Sequence, residues 1–428
     1  MLTEAPIRDI RGHSGRGETL FAHSKVRRVL LGMATGAAIL AASACGGAGA
    51  TTGHSGSGGA GGGASATAVA NSAATVTILP KDGSTGVDTN GTLKISAAQG
   101  KLTQIAVTGN DGSKVDGSMA GDGSSWTPAG PLHTGTRYSV VATAADSTGK
   151  SVTERSTFTT LTPAATNVAN FNVDPGATYG VGMEVSLNFT SVVADQYKAS
   201  VLKAVTVTAD PSVDVEGHWF GNNRLDFRPQ QYWAPGTKVT LHLHLNGVRT
   251  GQLGYGKQDK DVSFTIGRYQ VSVADNNAHS LTVYNGPNSV LRKLPASLGD
   301  PDHTTYDGKM VITEKYPTID MNSQTVGLGN AYDIKDVPHA MRLTTSGTFV
   351  HGNYWRPAST FGSANTSHGC VGLQDQQGGG DPNMPAAWFY AHSLIGDVVQ
   401  VVNSPDKIVQ PDNGLNGWNM DWSAWTSN

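Results

Sequence analysis

Two cysteines in 428 residues leave no disulfide framework to build a fold on. Charged residues make up 15%, below the share of about 25% usual in soluble domains. A net charge of -3 supplies no basic field for a nucleic-acid backbone. The apolar stretch at residues 29–42 is shorter than the ~20 residues that cross a bilayer. No Cys-x-x-Cys pair exists, so a structural zinc site lacks its usual close ligands. What is abundant is Gly, Ser, Thr, Ala and Val, a composition suited to short strands joined by turns.

The N-terminal region reads as an export signal. Lys25, Arg27 and Arg28 precede the apolar stretch, and Ala42-Ser43-Ala44-Cys45 follows it. That ending resembles a lipoprotein cleavage box, with Cys45 as the lipidated first mature residue. Ala42 stands where such a box prefers Leu, so ordinary cleavage after Ala44 is the other reading. Residues 46–75 are nearly all Gly, Ala, Ser and Thr and bury no core. A flexible tether of that length spans about 30 Å. With one cysteine at a lipid site and the other in a reactive setting, no disulfide is expected.

Residues 76–163 alternate short apolar runs with Gly, Asp and Asn clusters, as in Gln104-Ile105-Ala106-Val107-Thr108 and Arg137-Tyr138-Ser139-Val140-Val141-Ala142. This predicts a small immunoglobulin-like β-sandwich with Trp126 in its core and a hairpin turn at Asp146-Ser147-Thr148-Gly149-Lys150. Residues 164–267 repeat the pattern without obvious sequence identity. There Leu241, Leu243 and Leu245 share one strand face, and His242 and His244 the other. Two histidines at i and i+2 can hold a metal, but they more often mark a solvated face, and that is the reading taken. Residues 268–403 stay β-like until Pro385, where a short helix is expected over residues 385–394, followed by a last strand at 397–402. Residues 404–428 carry Trp418, Trp422 and Trp425, which would share one face if helical and should be buried; membrane contact is the alternative.

The chemistry concentrates between His351 and Leu373. Phe349-Val350-His351-Gly352 ends an apolar run, placing His351 at the end of a strand. Ser367-His368-Gly369-Cys370 puts a thiol after a glycine turn. A thiol attacks only as thiolate, so it needs a base or a positive field beside it. His351 is the candidate base and Cys370 the nucleophile. The backbone N–H groups of His368, Gly369 and Cys370 are candidates to hold an oxyanion. A buried, inert cysteine is the bland reading, but the polar, turn-forming neighbours argue against a packed core.

His-Gly, a spacer, then Ser-His-Gly-Cys resembles the signature of the L,D-transpeptidase catalytic domain, which remodels bacterial peptidoglycan. The two sandwiches resemble the paired immunoglobulin-like domains that precede it in actinobacterial members. The resemblance implies a mainly β protein: two sandwiches, a mostly β catalytic domain with a short helix, and a Trp-containing tail. It implies His351 as base, with the Gly352 carbonyl orienting its ring. Met321 matches a methionine lining the substrate cleft, and Tyr332 a tyrosine on a flap, read here as a loop over residues 327–339. Trp355 and Ser367 are further substrate contacts, and His368 supports the turn. Gly372 stands where the family often has Asn. No cofactor and no metal are implied.

The implied reaction releases D-Ala from a stem tetrapeptide, forms a thioester on Cys370, and transfers the acyl group to a diamino-acid amine on another stem. Carbapenems would acylate the same thiol. Partners are therefore peptidoglycan stem peptides, with no nucleic acid, and membrane contact only through Cys45. An L,D-carboxypeptidase and a tethered wall-binding scaffold are the competing readings. The chain divides into a signal segment (1–45), a linker (46–75), two sandwiches (76–163 and 164–267), a catalytic domain (268–403) and a tail (404–428).

Overall fold

The computed structural model describes residues 71–326, 329 and 332–427. Cys45, the signal segment and the linker up to residue 70 lie outside the described residues. Strands dominate what is described, and no described helix is long and apolar enough to cross a membrane.

Two four-stranded sheets form the first sandwich, one holding Thr75–Leu79 and Lys94–Ala98, the other Arg137–Ala145 and Ser151–Thr160. Their inner faces alternate with solvated ones, and Trp126 is 6% exposed, in the core as its sequence setting suggests. Tyr138 and Phe158 stack at 5.5 Å between centroids. At the expected hairpin, Gly149 has φ +82° and the Asp146 carboxylate accepts from the Thr148 and Lys150 N–H groups.

A second pair of four-stranded sheets follows, including Arg224–Pro229 and Lys238–His244. Leu241, Leu243 and Leu245 are fully buried, and His242 and His244 face outward. One element here was not expected from the sequence: a ten-residue helix, Asp195–Ala204. Of its residues only Val201 is buried, so its apolar period is too thin to read.

The third body is a nine-stranded sheet. From one edge it runs Gly308–Val311, Val398–Val402, Val271–Asp275, Ser280–Gly286, Ser289–Ser297, Val371–Gln374, Phe349–Asn353, Asp333–Arg342 and Glu314–Asn322. Val398–Val402 lies inside the sheet, which is why Val-Val-Gln-Val-Val is apolar on both faces. The helix Pro385–His392 begins on its proline, as expected, and buries Ala386 and Phe389 in one core with Val350 and Val371. Within the segment read as a loop over residues 327–339, residues 333–339 are strand. Asp333–Arg342 pairs antiparallel with Glu314–Asn322, and the register shifts between Ile319 and Met321. Its alternation was hidden by Asp336 and His339, both at positive φ, and by Pro338.

The tail is no single helix. It forms a short 3-10 turn, Gly417–Asn419, and a four-residue helix, Trp422–Trp425. All three indoles gather around Arg228 of the second sandwich, whose guanidinium lies 4.9, 5.3 and 4.4 Å from the rings of Trp418, Trp422 and Trp425. Trp418 Nε1 donates to the Gly182 carbonyl at 2.8 Å and Trp425 Nε1 to that of Glu216 at 2.9 Å. The tail thus fastens the nine-stranded body to the second sandwich. Trp425 is fully buried, so Trp425→Ala should cost about 3–5 kcal/mol of stability and lower the unfolding midpoint in guanidinium. An unchanged midpoint would contradict this fastening role.

Candidate active site

His351 sits in the middle of its strand rather than at its end. That strand pairs in parallel with Val371–Gln374, in the register Val350↔Val371 and His351↔Gly372. Val350 and Val371 point into the core, so the residues flanking them point away from it. Cys370 directly precedes Val371 and His351 directly follows Val350. Adjacent parallel strands therefore deliver the thiol and the imidazole to one side of the sheet.

The turn before Cys370 is pinned. Ser367 N–H donates to the Leu298 carbonyl at 3.0 Å, and Asp300 N–H to the Ser367 carbonyl at 2.9 Å. Asn365 Oδ1 accepts from the Leu298 N–H, and Thr366 N–H donates to Ser297 Oγ. Gly369 has φ +104°, a conformation that side chains rarely adopt. Ser367 Oγ then donates to the Cys370 carbonyl at 2.6 Å and accepts from the Gly369 N–H at 3.2 Å. The Gly369 N–H is therefore already engaged, which corrects the expectation of three free donors. His368 and Cys370 are the remaining candidates.

His351 is buried, and its Nδ1 lies 2.9 Å from the Gly352 carbonyl. A carbonyl only accepts, so Nδ1 carries the proton and Nε2 keeps its lone pair. Trp355 stacks on the imidazole, 13° from parallel at 5.6 Å, and fixes the ring plane. Residue 352 has to be glycine, because a Cβ there would overlap the Asp375 carboxylate and lie 2.8 Å from Pro338. Asp375 in turn holds His339 Nδ1 at 2.7 Å, behind the strand.

Cys370 keeps part of its surface open to the cleft, yet the protein packed around the sulfur raises its pKa to about 11. A hydrogen bond from the backbone at Phe349 offsets this only in part. Burial shifts His351 the other way, below its ordinary value, against the Gly352 contact. Both shifts favour the uncharged forms. The resting pair is thiol and neutral imidazole, not thiolate and imidazolium.

Met321, Tyr332, His351, Trp355, Ser367, His368 and Cys370 line one cleft of about 490 Å³ including its open mouth. Tyr332 has its pKa pushed up to about 12, first by burial and then by Cys370, so its hydroxyl stays protonated. Its ring also contacts His368 at 5.2 Å, and His303 contacts the same imidazole at 4.6 Å. Asp300 Oδ1 holds His303 Nδ1 at 3.1 Å.

Sequence reasoning missed six members of this neighbourhood. Ile334, Asn353, Arg356 and Thr366 line the cleft, while His303 and Asp300 stand behind His368. Asn353 follows the His-Gly pair directly and was the nearest available signal. Its Nδ2 lies 3.5 Å from where a Cβ on Gly372 would sit, so an amide still borders that spot. A larger cleft opens between the two sandwiches, lined by Tyr197, Lys203 and Arg249 among others, but no cysteine borders it.

Comparison with known proteins fits this geometry. A sequence model of the L,D-transpeptidase catalytic domain (YkuD) matches residues 269–401, and one of a bacterial Ig domain matches residues 84–249. L,D-transpeptidase 2 of Mycobacterium tuberculosis (strain CDC 1551 / Oshkosh) is 32% identical over 349 residues, covering 80% of this chain and 82% of the relative. L,D-transpeptidase 5 of Mycobacterium tuberculosis (strain H37Rv) is 30% identical over 362 residues, covering 83% and 77%. Among solved structures, the L,D-transpeptidase LdtMt1 in complex with imipenem is 29% identical, with a TM-score of 0.46 over 56% of this chain and 100% of that one. Identity of 32% and 30% over 80% and 83% of the chain places it in the L,D-transpeptidase family.

Proposed function

We propose that the protein joins peptidoglycan stem peptides by 3→3 cross-links through a thioester on Cys370. The observation that carries the reading is that adjacent parallel strands bring the Cys370 thiol, which contacts the Gly347 carbonyl at 3.8 Å, and the His351 imidazole into one cleft, with the His351 tautomer leaving Nε2 free to take a proton. Cys370 Sγ attacks the carbonyl joining the third stem residue to D-Ala, and its proton passes to His351 Nε2. The N–H groups of His368 and Cys370, with the protonated Tyr332 hydroxyl, receive the oxyanion. The C–N bond breaks as His351 returns the proton to the leaving D-Ala amine. A thioester remains. The diamino-acid amine of a second stem attacks it, His351 takes that amine's proton, and the thiol is restored.

Met321, Trp355, Ser367 and Tyr332 shape the donor site, and Asn353 and Arg356 join them. Arg356 is exposed at the cleft, where a guanidinium suits a stem carboxylate. A carbapenem presents a strained carbonyl to the same sulfur and would acylate it. The reaction needs no cofactor. Residues 1–45 are read as an export signal, with Cys45 as lipid anchor or Ala44 as cleavage point, and residues 46–75 as a tether from the membrane, whose last residues belong to the first sandwich, with Ala74 buried and Thr75 opening a strand. The sandwiches over 76–163 and 164–267 then space the catalytic body, 268–403 with its tail 404–428, from the membrane.

Incubation with a disaccharide-tetrapeptide and mass spectrometry of the products tests this. The expected product is a 3→3 dimer with one D-Ala released per link. Tripeptide alone would assign a carboxypeptidase instead, and unchanged substrate would leave neither activity.

A further inference from the structure

A solvated strand face does not require what is seen around His242 and His244. Asp261 stands opposite His242 on the neighbouring strand, and Asp259 opposite His244. His242 Nδ1 lies 2.9 Å and His244 Nε2 3.2 Å from the same oxygen, Asp261 Oδ1. Among the described residues, these three form the one group whose donor atoms fall within a metal ion's reach of each other, all within 4.8 Å.

The far nitrogen of each ring is also held. His244 Nδ1 lies 2.5 Å from Asp259 Oδ1, and His242 Nε2 lies 2.9 Å from Thr208 Oγ1. A carboxylate only accepts, so without an ion the two ring nitrogens that face Asp261 donate to it. A cation would take the place of those two protons, with Asp259 accepting from His244 Nδ1 and Thr208 accepting from His242 Nε2 on the outer side. Metal-ligating histidines are oriented in this way, with the second nitrogen donating to an outer oxygen. Asp259 reaches further, since its Oδ2 lies 3.1 Å from His133 Nε2 of the first sandwich. His133 Nδ1 is held at 2.8 Å by Asp111.

We propose that His242, His244 and Asp261 bind a divalent transition-metal ion of the zinc class, with Asp259 and Thr208 as outer supports. Two imidazoles and one carboxylate suit zinc, nickel or copper, not calcium or magnesium, which take mostly oxygen ligands. Three protein ligands leave a fourth position for water. His244 and Asp261 are half exposed, so the ion exchanges with solution. Through Asp259 and His133, the bound ion stiffens the junction between the sandwiches. The site is separate from Cys370 and takes no part in the acyl transfer.

The test is calorimetric titration of zinc chloride into the full chain carrying Cys45→Ala and Cys370→Ala, which removes both thiols as competing ligands. The expected result is one ion per chain and a raised unfolding temperature, with no heat from calcium or magnesium. Asp259→Asn should weaken binding about tenfold or more. His244→Ala and Asp261→Asn should weaken it further and abolish the thermal shift. Asp261→Asn keeps the side-chain shape, so its loss of binding is not a loss of fold. No binding at one ion per chain, or undiminished affinity in His244→Ala or Asp261→Asn, would overturn the proposal.

Discussion

The Cys370→Ala chain should release no D-Ala from a disaccharide-tetrapeptide and take up no carbapenem mass, while its thermal unfolding stays that of the parent. The expected loss of turnover is at least about 10⁴-fold. Nothing else in the cleft can replace the sulfur. The Ser367 hydroxyl already donates to the Cys370 carbonyl and accepts from the Gly369 N–H, and that of Thr366 is engaged with Ser297 Oγ. Tyr332 stays protonated, with its pKa pushed up to about 12. Deleting one sulfur at a partly open position costs little stability, because Val371, the core residue beside it, is untouched. Single-turnover kinetics and intact-protein mass spectrometry read the outcome. Residual cross-linking, or a carbapenem adduct on the variant, would remove Cys370 from its role.

His351→Ala should slow acylation by about 10²–10⁴-fold without abolishing it. The reason lies in the resting state. With the thiol pKa raised to about 11, the thiolate fraction at pH 7 is about 1 in 10⁴. Attack through that fraction alone is slow. In the proposed mechanism His351 avoids the limit by taking the proton as the sulfur–carbon bond forms, and its Gly352 contact keeps Nε2 ready for it. Because His351 is buried and stacked on Trp355, alanine also opens a cavity. His351→Gln keeps most of the volume and no base, and should be as slow with less loss of stability. Recovery of the parent rate in the glutamine variant would mean that the ring only fills space.

The fold was legible where one physical signal decided it. Alternating apolar runs ended by Gly and Asp located the strands of both sandwiches, and Pro385 marked the α-helix Pro385–His392, the one α-helix among the described residues of 268–403. Two elements were hidden. The Asp195–Ala204 helix buries only Val201, so no apolar face announces it. The strand Asp333–Arg342 is interrupted by residues at positive φ, which read as loop. In the tail, tryptophan spacing suggested one helix face, whereas the three rings are gathered by a cation from another body, Arg228. At the site, Cys370, His351 and Gly352 stood out because they fall in a spaced pattern, His-Gly and then Ser-His-Gly-Cys, which the fold brings into one cleft. The commitment of the Gly369 N–H to Ser367 did not, since it depends on a hydroxyl rotamer. His303 and Asp300 reach His368 only through tertiary packing, and no local pattern reveals them.

The central claim is that a neutral thiol is ionised at the moment of attack by a neutral imidazole. The pH dependence of carbapenem acylation tests it most directly. His351 is shifted below its ordinary value and Cys370 up to about 11, so the reactive pair, neutral imidazole and thiol, is fully present between the two. The parent rate should rise with pH only as His351 loses its proton in the acid range, then stay level from about pH 7 to 9. Over that same interval the His351→Ala rate should climb about tenfold per pH unit, following the thiolate. A parent rate that itself climbs tenfold per unit across the interval would contradict the account.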